Sequence, residues 1–240
     1  MTRIDGRSPH QLRPITFQPG FTRWAEGSVL TKFGDTHVLC NVTIENSLPP
    51  WLRGREEPHG WLTAEYAMLP RSTHSRSQRE QRWPKGRTQE ISRLIGRSLR
   101  MALDLSLLGE RTLTVDCDVL QADGGTRTAA VTGGWVAVAL ALRPFIKTGE
   151  LLPEVLARQI AAISVGLVDG VPLLDLAYEE DVRAEVDFNV VMAEGNQLAE
   201  VQGTAEKVPF DRVQLDELID LAAAGIVQLQ VLQNKVIRDF

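Results

Sequence analysis

The stretch 121–134, Q-A-D-G-G-T-R-T-A-A-V-T-G-G, joins an alternating strand to a long apolar helix. Leu113, Val115, Cys117 and Val119 fall on one face of the incoming strand. Residues 129–146 leave as a run of small, then larger apolar side chains, long enough for about five helical turns. A strand, a glycine turn and a helix start leave backbone N–H groups unpaired at the positive end of the helix dipole, which favours an anion there. Gly124 and Gly125 allow close approach to the chain. Thr126 and Thr128 can cap the helix or donate hydroxyls, and Arg127 adds a planar, permanently charged fork that matches phosphate. By spacing alone the same stretch is equally an ordinary strand-to-helix turn with a surface arginine, because glycine-rich turns are common.

A chain of 240 residues with 43% hydrophobic and 24% charged side chains is an ordinary globular protein of one large domain or two small ones. Its net charge of -5 argues against a nucleic-acid partner only if charge is evenly spread, and it is not. Cys40 and Cys117 sit at apolar positions of alternating strands and are expected as buried, reduced thiols. No signal peptide and no membrane-length apolar run is read from the sequence, so the expectation is a cytoplasmic protein with no membrane partner.

In chain order, residues 3–13 are basic and turn-rich. Residues 21–31 read as a strand and 33–36 (F-G-D-T) as a hairpin turn. Val38, Cys40, Val42 and Ile44 then alternate as a half-buried strand. Residues 47–60 read as a loop and 62–69 as a strand. Residues 153–163 suggest a short helix. Residues 164–176 read as a hairpin turning at Asp169-Gly170, residues 183–192 as a strand, and 198–202 as its return after Glu194-Gly195-Asn196. Leu215, Leu218, Ile219, Ala222, Ile226 and Leu229 have the spacing of a last helix. The strand, strand, helix, helix order occurs twice, an α+β pattern of one domain with internal halves at about 11–147 and 153–234.

Between Arg71 and Arg100 nine Lys/Arg face two Glu, a local balance of +7. Residues 71–86 have no apolar period and read as a loop. Arg71, Arg76, Arg79, Arg82 and Lys85 make it a candidate RNA-contacting segment, because so concentrated a charge repels itself without a polyanion or an acidic partner. Thr88 can cap a helix with an apolar face of Ile91, Leu94, Ile95, Leu99 and Ala102. Arg93, Arg97 and Arg100 form a stripe on another face, read as a solvated or subunit-facing surface. Arg87 stands at the helix entrance, where a phosphate is expected.

Asp181 and Asp187 share a face if the chain is extended there, and can bind a divalent metal or act as a general acid; taken alone they read first as solvated strand-edge carboxylates. His10, His37, His59 and His74 have no ligand spacing, so no zinc site or Ser/His/Asp triad is expected. There is no Walker-type or dinucleotide fingerprint.

Several ordered motifs together resemble the bacterial ribonuclease PH family. They are R-x-D-G-R from Arg3, L-R-P-I from Leu12, A-E-G-S-V-L from Ala25, F-G-D-T-x-V-L-C from Phe33 and G-W-L-T-A-E-Y from Gly60. L-P-R-S-T-H-S-R from Leu69, G-R-T-Q-E-I-S-R-L-I-G-R-S-L-R from Gly86, D-G-G-T-R-T-A-A from Asp123 and E-V-Q-G-T-A-E from Glu200 complete the set. The resemblance spans residues 3–210 and continues weakly into the last helix. It implies a duplicated β-α fold related to a ribosomal-protein domain, a phosphate-dependent 3′-to-5′ exoribonuclease that trims transfer RNA precursors, and assembly as a hexameric ring. Carried onto this chain, Arg87, Gly125, Thr126 and Arg127 match phosphate-binding positions. Asp181 and Asp187 match the acidic pair assigned to metal binding, with Mg²⁺ expected, and to acid catalysis; which does which stays open. Inorganic phosphate is the implied co-substrate. The chain departs from the pattern at Ala67, where glycine is usual, and at Arg82-Trp83-Pro84-Lys85, an individual version of the basic loop. The competing readings are a hydrolytic exoribonuclease, which needs a larger acidic metal cluster, and a noncatalytic RNA-binding ring subunit, which has no need of intact Arg87, Arg127, Asp181 and Asp187.

Overall fold

The computed structural model describes residues 3–54, 59–79 and 86–240. The first sheet holds β1 (Ile15–Pro19), β2 (Gly27–Phe33), β3 (Thr36–Glu45), β4 (Trp61–Met68) and β5 (Thr112–Gln121), in the order β1-β2-β3-β5-β4. All neighbours are antiparallel except β4 and β5, which run parallel and are connected through α1 (Gly86–Met101). After β5 comes α2 (Thr126–Lys147). The second sheet holds β6 (Ile160–Val168), β7 (Val171–Leu174), β8 (Val186–Ala193) and β9 (Gln197–Ala205), all antiparallel in the order β7-β6-β8-β9. The short α3 (Tyr178–Arg183) enters β8, and α4 (Arg212–Asp239) closes the chain. The result is a mixed α+β fold.

The helix α2 is packed between the two sheets. From Thr128 to Leu142 every residue of α2 is buried, and it packs on β2 and β3 of the first sheet and on β6 of the second. A helix apolar all round has no solvent face to keep polar. By length and composition alone it would cross a membrane, contrary to the expectation that no segment has that character, but here it is an interior helix. Close approach sets its small residues: a Cβ on Gly133 would lie 2.0 Å from the Thr31 hydroxyl on β2. A single apolar cluster then runs through both sheets, α1, α2 and α4. Cys40 and Cys117 face each other across β3 and β5 as free, buried thiols.

Several boundaries differ from those read in the sequence. The strand expected at 21–31 starts only at Gly27, because Thr22 turns back onto the Ser28 hydroxyl. The edge strand β1 was hidden between Pro14 and Pro19. The helix expected at 153–163 is a single 3-10 turn at Pro153–Val155 followed by β6. Every residue of β6 is buried, so the strand carries no alternation to separate it from a helix. Thr88 lies inside the first turn of α1 instead of capping it. The Asp169-Gly170 turn joins β6 to β7 with both residues at positive φ, and the Gly34-Asp35 turn joins β2 to β3.

Candidate functional site

The β5–α2 turn forms the floor of a cavity of about 580 Å³ lying between the two sheets' ends. Arg87 from α1, Gly125, Thr126 and Arg127 from the turn, Asp181 from α3 and Asp187 from β8 all line it. Six residues spread over a hundred positions of sequence are therefore neighbours.

Gly125 is the residue before the first turn of α2 and has φ 64, a left-handed conformation that glycine adopts without strain. It brings no side chain, and α2 has no side-chain cap on its first turn. The expected threonine caps are absent. The Thr128 hydroxyl instead donates back to the Gly125 carbonyl at 2.9 Å, and the Thr126 hydroxyl pairs with the Tyr66 hydroxyl at 2.8 Å. The uncapped N–H groups and the dipole of a 22-residue helix thus open onto the cavity. The Arg127 guanidinium donates to the Gln202 amide oxygen at 2.9 Å and lies 3.6 Å from the Glu90 carboxylate, so β9 and α1 steer its fork.

The acidic pair meets by a route different from the one expected. Asp181 is on a helix, not an extended segment, so the even-spacing argument does not apply. At six residues α3 is too short for its period to show in the sequence. Its first turn is held by Glu180, whose carboxylate accepts the Ala177 N–H at 3.0 Å. Asp187 stands at the start of β8, 3.5 Å from the Asn189 amide. Burial, the Asp181 charge and Glu206 push the Asp187 carboxyl up to about 6, against the pull of Arg127 and Asn189. Burial also raises Asp181, opposed by Arg87 and Arg127. Two half-buried carboxylates thus line the same cavity as the positively polarised start of α2.

The loop arginines behave otherwise. Arg71, Arg76 and Arg79 are exposed and do not line the cavity, although Thr73, His74 and Ser75 between them do. The loop's beginning is tied down, with Ala122 N–H donating to the Ser72 carbonyl at 2.8 Å. Arg82 and Lys85 lie outside the described residues. In the stripe on α1, Arg97 pairs with Glu200 at 2.6 Å and Arg100 stacks on the Trp61 ring while donating to the Leu62 carbonyl; Arg93 is exposed.

The sequence reading gave no role to the opening arginines. Arg3 forks onto Glu180 with contacts of 2.7 and 2.6 Å, Arg13 grips Asp175 at 2.7 and 3.1 Å, and Arg7 packs between them; all three are at most 7% exposed. The signal was present in three arginines within eleven turn-rich residues, but only long-range partners turn such a cluster into a core. Tyr66, Tyr178 and Lys207 also line the site or orient its residues and were not singled out.

The chain is similar to known proteins over nearly its whole length. The model of the 3′ exoribonuclease family, domain 1, matches residues 11–144, and that of domain 2 matches residues 158–225. A protein named ribonuclease PH from a Cyanothece species is 57% identical over 235 residues, 98% of each chain. One from Solibacter usitatus is 54% identical over 237 residues, 98% of this chain and 99% of its own. Among solved structures, rice Rrp46 superimposes with a TM-score of 0.79 at 18% identity, covering 98% of this chain and 100% of that one. An Archaeoglobus fulgidus exosome with RNA bound to the active site gives a TM-score of 0.79 at 22% identity, covering 95% and 91%.

Proposed function

Because the chain belongs to the ribonuclease PH family, we propose that its cavity holds inorganic phosphate between Arg87, Arg127 and the α2 start, against the 3′ end of an RNA. The protein is a phosphorolytic 3′-to-5′ exoribonuclease. The observation that carries the assignment of the site is the uncapped, glycine-led start of α2, with Arg127 steered beside it and Asp187 across the cavity.

Phosphorolysis asks the protein to bring two anions together and to stabilise the charge between them. A phosphate oxygen attacks the last phosphodiester in line. The bond from that phosphorus to the 3′ oxygen of the preceding nucleotide breaks, and the end nucleotide leaves as a nucleoside 5′-diphosphate. The departing 3′ oxygen takes a proton. Asp187, with its carboxyl near 6, keeps a protonated share close to neutrality and is the donor in this reading. Asp181 stands beside it as the second carboxylate, its carboxyl raised by burial against the pull of Arg87 and Arg127.

The same pair fits Mg²⁺, which takes one or two carboxylates together with substrate phosphates; burial raises Asp187 most and the Asp181 charge adds to it, and a cation between the two would offset that repulsion. When bound, the metal would neutralise charge on the phosphoryl oxygens. Transfer RNA precursors are the substrate class, gripped by Arg71, Arg76 and Arg79, with Arg82 and Lys85 continuing the same charge run. The protein works in the cytoplasm as a homo-oligomeric ring of six, and light scattering should give a mass near six times 26.6 kDa; a fully active monomer would refute the ring.

Arg127→Lys tests the site. It keeps the charge and loses the planar fork, so phosphate-dependent turnover should fall on the order of a hundredfold with the fold retained. Wild-type phosphate kinetics in both Arg127→Lys and Arg87→Lys would remove the assignment.

A further inference from the structure

The phosphate turn and the acid-bearing helix belong to different sheets, and a phosphorolytic site works only if their separation is fixed. One buried side chain bonds the turn and the segment that leads into that helix, beside a direct bond from the Tyr178 N–H to the Asp123 carboxylate at 3.3 Å. The Arg13 guanidinium donates to the Asp123 carbonyl at 2.5 Å and to the Gly124 carbonyl at 3.4 Å, in the turn. The same group donates to both oxygens of Asp175, at 2.7 and 3.1 Å, and the Arg13 backbone N–H adds a third bond to that carboxylate at 2.8 Å. Asp175 lies between β7 and α3, three residues before the helix that carries Asp181.

Both partners are built in. Arg13 is 4% exposed and Asp175 is 0% exposed. Asp175 also holds φ 56, a conformation rare outside glycine, which persists only where its surroundings over-determine it. The turn is gripped from the other side by Thr36, also 0% exposed: its hydroxyl donates to the Gly124 carbonyl at 2.6 Å and accepts the Asp123 N–H at 2.9 Å. Gly124 has no room to shift, since even a Cβ there would lie 2.5 Å from the Leu176 carbonyl. The Gly124 carbonyl is held by Arg13 and Thr36, neither of which lines the cavity, and the geometry of a peptide plane then fixes the direction of the next N–H.

We propose that Arg13 is a positioning residue for phosphate, a buried strut that aims the N–H groups of the β5–α2 turn and sets their distance from the carboxylates on α3 and β8, with Thr36 as its second clamp. The inference rests on the reading of that turn as the phosphate site. Arg13 reaches neither phosphate nor RNA. Its effect is on how well phosphate is held at a given distance from the acidic pair.

The test is steady-state phosphorolysis of a short single-stranded oligonucleotide with phosphate varied, alongside the thermal midpoint of each variant. Arg13→Lys keeps the charge but cannot span turn and Asp175 together; its KM for phosphate should rise roughly tenfold or more, with the KM for RNA little changed. Thr36→Val keeps the shape and removes both clamp bonds, and should raise the phosphate KM roughly threefold. Arg3→Lys disturbs a buried pair of the same network away from the turn, and should lower kcat without moving the phosphate KM. If Arg13→Lys does not fold, Thr36→Val decides, and an unchanged phosphate KM there overturns the proposal. It is equally overturned if Arg3→Lys moves the phosphate KM as far as Arg13→Lys, which is general loosening. Arg127→Lys separates the two readings: an impaired Arg127→Lys with normal Arg13→Lys and Thr36→Val sinks only the strut, whereas normal phosphate kinetics in Arg127→Lys sinks the phosphate site and the strut with it.

Discussion

Glu180 and Asp181 are consecutive on α3 and live in opposite electrostatic worlds. Glu180 faces the arginines of the chain's opening: it takes both prongs of Arg3, caps its own helix through Ala177, and lies 3.6 Å from Arg7. Burial alone would raise its carboxyl, but the Arg3 and Ala177 hydrogen bonds and the Arg3 and Arg7 charges outweigh burial and hold it below the usual value. Asp181 faces the cavity with Asp187. There burial wins, and both carboxyls are pushed up. The buried arginines of the chain's opening go to Glu180 and Asp175, and the two carboxylates that face the cavity are left short of such partners. A low pKa beside full pairing marks a fastener; a high one beside an open cavity marks a group that can hand over a proton.

Breaking the fastened side should have the largest effect on folding. Arg3→Ala leaves the Glu180 carboxylate buried and under-paired, and removal of one partner of such a pair costs about 3–5 kcal/mol. Urea denaturation measures it. A loss under about 1 kcal/mol, the range of surface pairs, would mean that the network carries no more weight than an exposed one.

The open side should respond with the opposite sign. The folded pKa of Asp187, about 6, is raised above its unfolded value of 3.8. Its favourable contribution is therefore present below about pH 4 and lost as the pH rises through about 6. At pH 7.5 Asp187→Asn should make the protein more stable, on the order of 2 kcal/mol, with the gain vanishing toward pH 4. The same variant should lose about 10² to 10⁴ in rate while still binding RNA. In the native enzyme kcat/KM should fall on the alkaline side of a midpoint near 6, and that limb should disappear in the variant. An Asp187→Asn protein that is less stable at pH 7.5 and still active would put Asp187 in the same class as Glu180.

This contrast was half legible in the sequence. The strand–glycine–helix stretch around Gly125 announced itself through local patterning, since alternation, glycines and a small-residue helix are all written within thirty residues. Asp181 and Asp187 were found through resemblance to a family, and the local argument for them failed: α3 is a helix, and what unites the two carboxylates is the packing of α3 beside β8. The opening arginines were legible only as basic residues in turns. Their partners Asp175 and Glu180 lie more than 160 residues away, and no periodicity links them. The strand β6 was misread in part as a helix because burial on both faces erased the alternation by which strands are recognised.

The smallest effect on stability is expected where arginines are exposed. Arg71, Arg76 and Arg79 form no ion pair among the described residues, and the one hydrogen bond shown, from Arg71 to the His74 carbonyl, is local. Their stretch is nevertheless anchored, because Ser72 is buried against the end of β5 and residues 73–75 line the cavity, so the charges stand on a fixed base beside the site's mouth. Arg76→Ala with Arg79→Ala should change stability by less than about 0.5 kcal/mol per site. Binding is another matter. Each phosphate neutralised on a single strand contributes a slope of about -0.7 in log K against log salt. If both arginines meet phosphates, the double variant should bind precursor transfer RNA more weakly and with a slope shallower by about 1.4, while a short oligonucleotide whose end reaches only Arg87, Arg127 and the carboxylates is degraded as before. Fluorescence titrations at several salt concentrations, with urea melts on the same samples, measure both sides. A destabilised double variant would make this loop a second fastener, like Arg3 and Arg13. An unchanged slope would make it solvated surface. Equal loss on long and short substrates would carry Arg76 and Arg79 into the cavity with Arg87.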